Sequence, residues 1–240
     1  MLAYGLKPGL AGIGVVTALP QEARALGAMP ADGEGIALID AQWLVCVSGM
    51  GAARAEDAAR RLLAQGASAL LSFGVAAALS GELQTGHIVV PQVIIDRDGT
   101  LLPTHARWRE CVCAKTSFDA RPIIEAPAVL GTSAEKRAFA STTHAIAADM
   151  ESAAVARVAQ RAGAPFIAVR AIADDLDTAV PAWLEHAIDE RGRIQPGRMT
   201  WQLLTHLGEA GSVMRLARAF GTAQKALARF HTDHLQPVPA

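Results

Sequence analysis

WLVCVSGMGAARAEDAARRLLAQGASALLSFG, residues 43–74, is the stretch that decides the fold. Residues 43–47 are a continuous apolar run and read as a buried strand. Ser48-Gly49-Met50-Gly51 follows as a turn. Over 52–65 the apolar positions recur at helical spacing, and Gly66 reads as the helix stop. Residues 69–73 are a second apolar run, ending at Gly74. Strand, glycine turn, helix and strand, with both strands apolar throughout, is the pattern of parallel strands in a sheet covered on both faces. The alternation continues outward. Residues 13–18 read as a strand and 21–28 as a helix. Residues 87–95 are strongly β-branched and read as one strand. Residues 135–141 and 151–162 read as helices, the second broken by Gly163-Ala164-Pro165, and 166–172 as another buried strand. The span 175–198, with Pro181, Pro196, Gly192 and Gly197, reads as an irregular, lid-like excursion. Helices are expected over 200–230. The last of them, 211–230, carries Val213, Leu216, Phe220, Leu227 and Phe230 on one face. All of residues 1–240 are expected to form a single domain.

Composition sets limits on function. The chain of 240 residues holds 50 alanines, while aromatics make up 5% with one tyrosine. So few aromatic faces weigh against single-strand nucleic-acid binding by base stacking. A balance of 22 Lys+Arg against 23 Asp+Glu leaves no bulk basic field for nucleic acid. The 51% apolar content excludes a disordered chain. Cys46, Cys111 and Cys113 are odd in number and lack a framework spacing, which argues against a disulfide-stapled protein. Cys111-x-Cys113 has no second cysteine pair, so no metal site is expected. Residues 62–81 carry no charge and are long enough to span a membrane, yet Gly66 and the interior Ser and Gln make helix end, strand and glycine loop the better reading. The apolar run 9–19 behind Lys7 lacks a small-x-small cleavage site and reads as a first strand. A cytoplasmic chain without a transmembrane segment is expected.

In open α/β sheets ligands sit beyond the carboxyl ends of the strands. Three acids occupy such places: Glu22 after the first strand, Glu151 at a helix start, and Asp174 at a strand end. Each alone fits a helix cap or a macrodipole partner. Together at the sheet ends they point to carboxylate chemistry. The Ser48–Gly51 turn is only Gly-x-Gly, with Arg54 where a third small residue belongs, so a dinucleotide fingerprint is not made. A Walker A loop and a Gly-x-Ser-x-Gly elbow are both absent. The turn does leave backbone N–H groups at a helix start, suited to an anion or a sugar hydroxyl.

The order of these pieces resembles the nucleoside phosphorylase/nucleosidase superfamily. Ile13-Gly-Val-Val-Thr-Ala-Leu-Pro-Gln-Glu22 is similar to the opening strand of the methylthioadenosine/S-adenosylhomocysteine nucleosidases. Ser48-Gly-Met-Gly51, Ser72-Phe-Gly-Val-Ala-Ala-Ala-Leu79 and Leu83-x-x-Gly86-His-Ile-Val-Val-Pro91 resemble its glycine segments. Asp149-Met-Glu-Ser-Ala-Ala154 resembles its ribose-binding Met-Glu motif, and Val169-Arg-Ala-Ile-Ala-Asp174 its catalytic-aspartate strand. The resemblance implies a three-layer α/β/α domain with a central mixed, mainly parallel sheet. It implies that Asp174 is the general acid toward purine N7, that Glu151 holds the ribose hydroxyls above Met150, and that Glu22 positions and deprotonates the attacking water. The substrate would lie against Ser48, Gly49, Met50, Gly74, Val75 and Ala76. No cofactor is implied, and a homo-oligomer is.

Those residue types suit N-glycosidic cleavage. The sugar becomes oxocarbenium-like, a protonated base leaves more easily, and a carboxylate near the ribose stabilises positive charge. An aspartate must be raised from near 3.9 by burial to hold its proton at neutral pH. Phosphorylases of the superfamily hold phosphate with arginine and serine in the glycine segments. Here Ser72 and Val75 stand in the central segment and Glu22 near the first turn, which favours hydrolysis. Phosphorolysis, with phosphate as co-substrate and Arg24 or Arg54 reaching it, is the alternative, and a non-catalytic nucleoside-binding protein the second. Where related nucleosidases place an aromatic on adenine, this chain has Gly131-Thr132-Ser133-Ala134, with Phe139 as a substitute. Pro181-Ala-Trp-Leu184, Asp189-Glu-Arg-Gly-Arg193 and Thr132-Ser-Ala-Glu-Lys-Arg137 resemble the hopanoid-associated branch. That branch implies release of adenine from adenosylhopane, leaving ribosylhopane, and so a lipid-linked nucleoside as partner. The basic amphipathic helix 211–230 then either rests peripherally on an anionic membrane or packs its apolar face on the sheet, the default for such a helix.

Overall fold

The computed structural model describes residues 12–28, 36–39, 42–180 and 210–235. Ten strands and six helices are formed there. In chain order they are β1 Gly12–Thr17, α1 Pro20–Ala25, β2 Ile36–Ile39, β3 Trp43–Val47, α2 Ala52–Ala64, β4 Ala67–Ala78, β5 Ile88–Val89, β6 Val93–Ile95, β7 Leu101–Pro103, α3 Ala106–Val112, β8 Ile123–Glu125, α4 Ser133–Thr143, β9 Ala147–Asp149, α5 Ser152–Ala162, β10 Phe166–Asp174 and α6 Ala210–His234.

The strands form one sheet in the order β2-β3-β1-β4-β9-β8-β6-β7, with β10 on β4 and β5 on β10. Pairings β1–β3, β1–β4, β4–β10, β6–β8 and β8–β9 are parallel. The remaining four, β2–β3, β4–β9, β5–β10 and β6–β7, are antiparallel, so the sheet is mixed and mainly parallel as expected. Side chains of successive strand residues point to opposite faces. Ile13, Val15, Leu71 and Phe73 accordingly pack with Ala23, Trp108, Leu227 and Phe230 on one face. Val16 and Leu70 pack with Leu62, Val155 and Ala159 on the other. Helices α1, α3 and α6 thus cover one face and α2 and α5 the other, giving three layers. Gly14 lets α2 lie close: a Cβ there would meet Leu62 Cβ and Leu70 Cδ2 at 2.9 Å.

β4 is longer than the expected 69–73 and runs through Gly74 to Ala78. Its far edge changes partner on the way. Leu70 to Ala77 face β10 in parallel, while Ala77 and Ala78 pair antiparallel with β9. The β10 register slips between Ile172 and Asp174. The sheet therefore forks at the end of β4, and a fork in strand order is where an α/β sheet opens a crevice. The expected strand 87–95 is two short strands separated around Pro91, because proline has no N–H for a ladder.

Helix α6 uses its apolar face on the sheet. Ala223, Leu227 and Phe230 are buried beside β10, and Phe220 is half-buried against the same cluster. Packing, the default reading of its amphipathic pattern, thus engages this stretch of the face. Of the lid-like region 175–198, residues 175–180 are described, and the rest lies outside the described residues, as do 200–209 of the C-terminal helices. Among the described residues, no helix is long and apolar enough to cross a membrane.

Candidate active site

A cavity opens at the fork, with about 660 Å³ of open space. The first turn of α1, the end of β9 with the turn after it, and the end of β10 contribute its polar wall: Glu22, Asp149, Glu151 and Asp174. Met50, Val75, Ala76 and Met150 line it too. The three acids singled out from sequence, far apart in the chain, therefore share one crevice. Ser48, Gly49 and Gly74 do not line it. Ser48 Oγ donates to the carbonyls of Thr17 at 3.2 Å and Gly49 at 2.7 Å, which shapes the turn. Gly74 lies behind the wall, where a Cβ would meet Arg170 Nη1 and Glu22 Oε1 at 2.5 Å each.

Glu22 stands in the first turn of α1 and is 2% exposed. Its Oε2 accepts the N–H groups of Ala18 and Leu19 at 2.9 Å, so the helix-start reading holds for that oxygen. Its Oε1 crosses to β4 and accepts the Val75 N–H at 2.9 Å. Burial pushes its pKa up, while the Arg170 guanidinium and the three N–H donors pull it down; the net shift is upward. A carboxylate so held is fixed in direction, and burial raises its affinity for a proton.

Glu151 is the N-cap residue of α5, but its side chain does not cap that helix. Its Oε1 accepts the N–H of Gly51, the N-cap of α2, at 2.7 Å. The anion at the Gly-x-Gly turn is thus the chain's own. Burial first, then the Asp149 carboxylate, raise Glu151 to about 7.

Arg170, behind the wall, and Lys136, beside Asp174, carry no assignment from the sequence. Arg170, in the middle of β10 and 2% exposed, reaches Asp149 Oδ2 at 2.5 Å, Ser72 Oγ at 2.6 Å and Ser152 Oγ at 3.0 Å. Asp149 in turn accepts the N–H groups of Glu151 at 3.2 Å and Ser152 at 3.0 Å. This network sets the backbone from which Met150 and Glu151 project. A lone arginine in the apolar run 166–173 was the signal available for it, because a buried cation needs acids around it. Asp174 sits at the opposite side, paired with Lys136 of α4 at 2.5 Å. Burial raises the Asp174 pKa against the pull of Lys136.

The lining residues of the cavity among those described include no aromatic. Ala126, Ala128, Val129, Leu130 and Ala148 form an apolar wall of the cavity. Phe139, the substitute considered from sequence, packs instead with Leu79, Ile124 and Ala145 beneath that wall. Among the described residues, no group of three or more His, Cys, Asp or Glu is placed to hold a metal ion.

The chain is similar in structure to 5'-methylthioadenosine/S-adenosylhomocysteine nucleosidase from Helicobacter pylori, at 18% identity and a TM-score of 0.71, covering 95% of this chain and 100% of that one. It is similar to futalosine hydrolase of the same organism, at 18% identity and a TM-score of 0.70, over 94% and 99% of the two chains. The nucleosidase from Neisseria meningitidis matches at 17% identity and a TM-score of 0.66, over 92% and 96%. These likenesses establish the fold. No curated protein matches the sequence. The phosphorylase superfamily profile matches residues 13–130 and 126–205, most of the chain. On that match, over the strands that build the crevice, the chain belongs to the phosphorylase superfamily.

Proposed function

We propose that the protein is a purine nucleosidase that hydrolyses the N-glycosidic bond of an adenosine-type nucleoside. The observation that carries this reading is the convergence of Glu22, Glu151 and Asp174 on one cavity, with Glu22 held by three backbone N–H groups. In it Asp174 gives a proton to N7 and the bond from C1' to N9 breaks with its electron pair going to the base. Glu151, with one oxygen on Gly51, offers the other to the ribose hydroxyls above Met150. Glu22 orients a water and takes its proton as the water oxygen bonds to C1'. Charge favours water over phosphate as the attacking group. Glu22, Asp149 and Glu151 surround Arg170, and Lys136 is taken up by Asp174, so acids outnumber cations among the described residues of the crevice, which suits a cationic sugar and repels a phosphate dianion.

The finer reading is adenosylhopane as substrate, with adenine and ribosylhopane as products. It rests on the sequence resemblance of 132–137, 181–184 and 189–193. The apolar lining by Leu19, Met50, Val129 and Leu130 suits a substrate with an apolar tail. Peripheral membrane contact and a homo-oligomer belong to the same reading. The test is a screen of adenosylhopane, 5'-methylthioadenosine, S-adenosylhomocysteine and inosine for base release, with and without phosphate. Release without phosphate is expected. A strict phosphate requirement overturns hydrolysis, and binding without release under both conditions makes the chain a nucleoside-binding protein. Asp174→Asn is expected to abolish turnover with the fold intact, and an active Asp174→Asn enzyme removes Asp174 as the acid.

A further inference from the structure

Lys136 has no exposed surface, although its neighbours Glu135 and Arg137 on α4 are exposed. Its ammonium has three N–H donors. They are taken by Asp174 Oδ2 at 2.5 Å, the Asp175 carbonyl at 2.7 Å and the Thr178 carbonyl at 2.9 Å. The two carbonyls lie in the turn after β10, which is tied down independently. Thr178 Oγ1 donates to Asp175 Oδ1 at 2.5 Å, and Val180 N–H to the Gly131 carbonyl at 2.8 Å. The ammonium is therefore fixed, and with it one oxygen of Asp174. Among the described residues Lys136 is the side chain bonded to Asp174, so Oδ1 is the oxygen left to the cavity.

We propose that Lys136 is a positioning residue for the acid: it holds Oδ2 in an ion pair, leaves Oδ1 to meet the purine, and stabilises the carboxylate that forms when Asp174 gives up its proton. The proposal rests on the reading of Asp174 as general acid. In the step itself Asp174 Oδ1–H passes its proton to N7, the glycosidic electron pair goes to the base, and the new Asp174 carboxylate faces an ammonium already in place. A preorganised charge of this kind needs no rearrangement during the reaction. The other charged groups near the pair are Asp175, which opposes the ion pair's effect on Asp174, and Glu22, Asp149, Glu151 and Arg170 across the cavity. Arg137 is paired with Asp177 at the surface.

The test is the pH profile of kcat/KM for adenine release from 5'-methylthioadenosine by wild type, Lys136→Met and Lys136→Arg. Without the cation Asp174 holds its proton more tightly, so in Lys136→Met the basic limb moves up by about 1 pH unit or more. The acid is then weaker, and kcat at neutral pH falls by about tenfold. Lys136→Arg keeps a cation and restores the limb. A limb unmoved in folded Lys136→Met overturns the proposal. Lys136→Gln is a second neutral variant, and its amide can still donate toward the Asp175 and Thr178 carbonyls. The same upward movement of the limb is expected in it. An unmoved limb in folded Lys136→Gln overturns the proposal as well. Turnover by Asp174→Asn would instead remove the acid assignment itself.

Discussion

Gly74→Ala tests the packing behind the crevice. The added Cβ would lie 2.5 Å from Arg170 Nη1, 2.5 Å from Glu22 Oε1 and 2.8 Å from Glu22 Cδ. Ordinary contact requires each of these groups to retreat by about 1 Å. Both are side-chain ends, but neither swings freely. Glu22 is pinned by Ala18, Leu19 and Val75, and Arg170 by Asp149, Ser72 and Ser152. Retreat of Oε1 stretches its 2.9 Å bond from Val75 N–H out of hydrogen-bond range. Overpacking of this kind costs about 1–3 kcal/mol. For a chain of this size that lowers Tm by roughly 2–12 °C. On the proposed role of Glu22, a displacement of about 1 Å reduces the rate by about a hundredfold. The assays are thermal unfolding and kcat/KM for adenine release. Gly221→Ala is the control: its Cβ meets nothing within 4 Å and lies in the interior of α6, so it gains about 0.5–1 kcal/mol. A Gly74→Ala enzyme with wild-type kcat/KM and Tm refutes the contact between Glu22, Arg170 and the β4 backbone.

The raised Glu151 pKa makes stability depend on pH. Its value moves from 4.5 unfolded to about 7 folded, so between those values the folded chain binds about one proton more than the unfolded chain. This group's contribution is full below 4.5 and is lost as pH rises through 7; Glu151→Gln is expected to flatten that fall in denaturant titrations at pH 5 to 8. Arg170→Met leaves Asp149 buried without its ion pair and is expected to destabilise by about 3–5 kcal/mol at neutral pH, read from urea unfolding.

The fold was legible wherever an element carried its own periodicity. The strands at 43–47 and 166–172 and the helices at 52–65 and 151–162 are each long enough for apolar spacing to show. Strands β7, β8 and β9 are three residues each and offer no period to read. Ala147-Ala148-Asp149 even favours a helix by propensity. It is a strand because β4 and β8 pair with it from either side. Helix α4 begins at Ser133, earlier than expected, because Thr132 accepts the Glu135 N–H at 3.1 Å and Glu135 accepts the Thr132 N–H at 2.9 Å. That capping box was present in the sequence as Thr-x-x-Glu.

The site divides along the same line. Its acids could be found because they stand at strand ends and helix starts, positions that a one-dimensional pattern marks. Its cations could not be ranked that way. Arg170 has a local signal, a charge in an apolar strand, but its partners Asp149, Ser72 and Ser152 come from three other segments. Lys136 has none: within Glu-Lys-Arg it looks like any charge on a solvated helix face. What buries it is the return of the 175–178 turn across α4, a contact 39 residues away in the chain. Burial of a cation is tolerable only when opposing charge and carbonyls are already arranged around it. Such a residue is therefore specified by the fold as a whole. Here the fold spends that arrangement on Asp174, the carboxyl whose proton the proposed reaction needs.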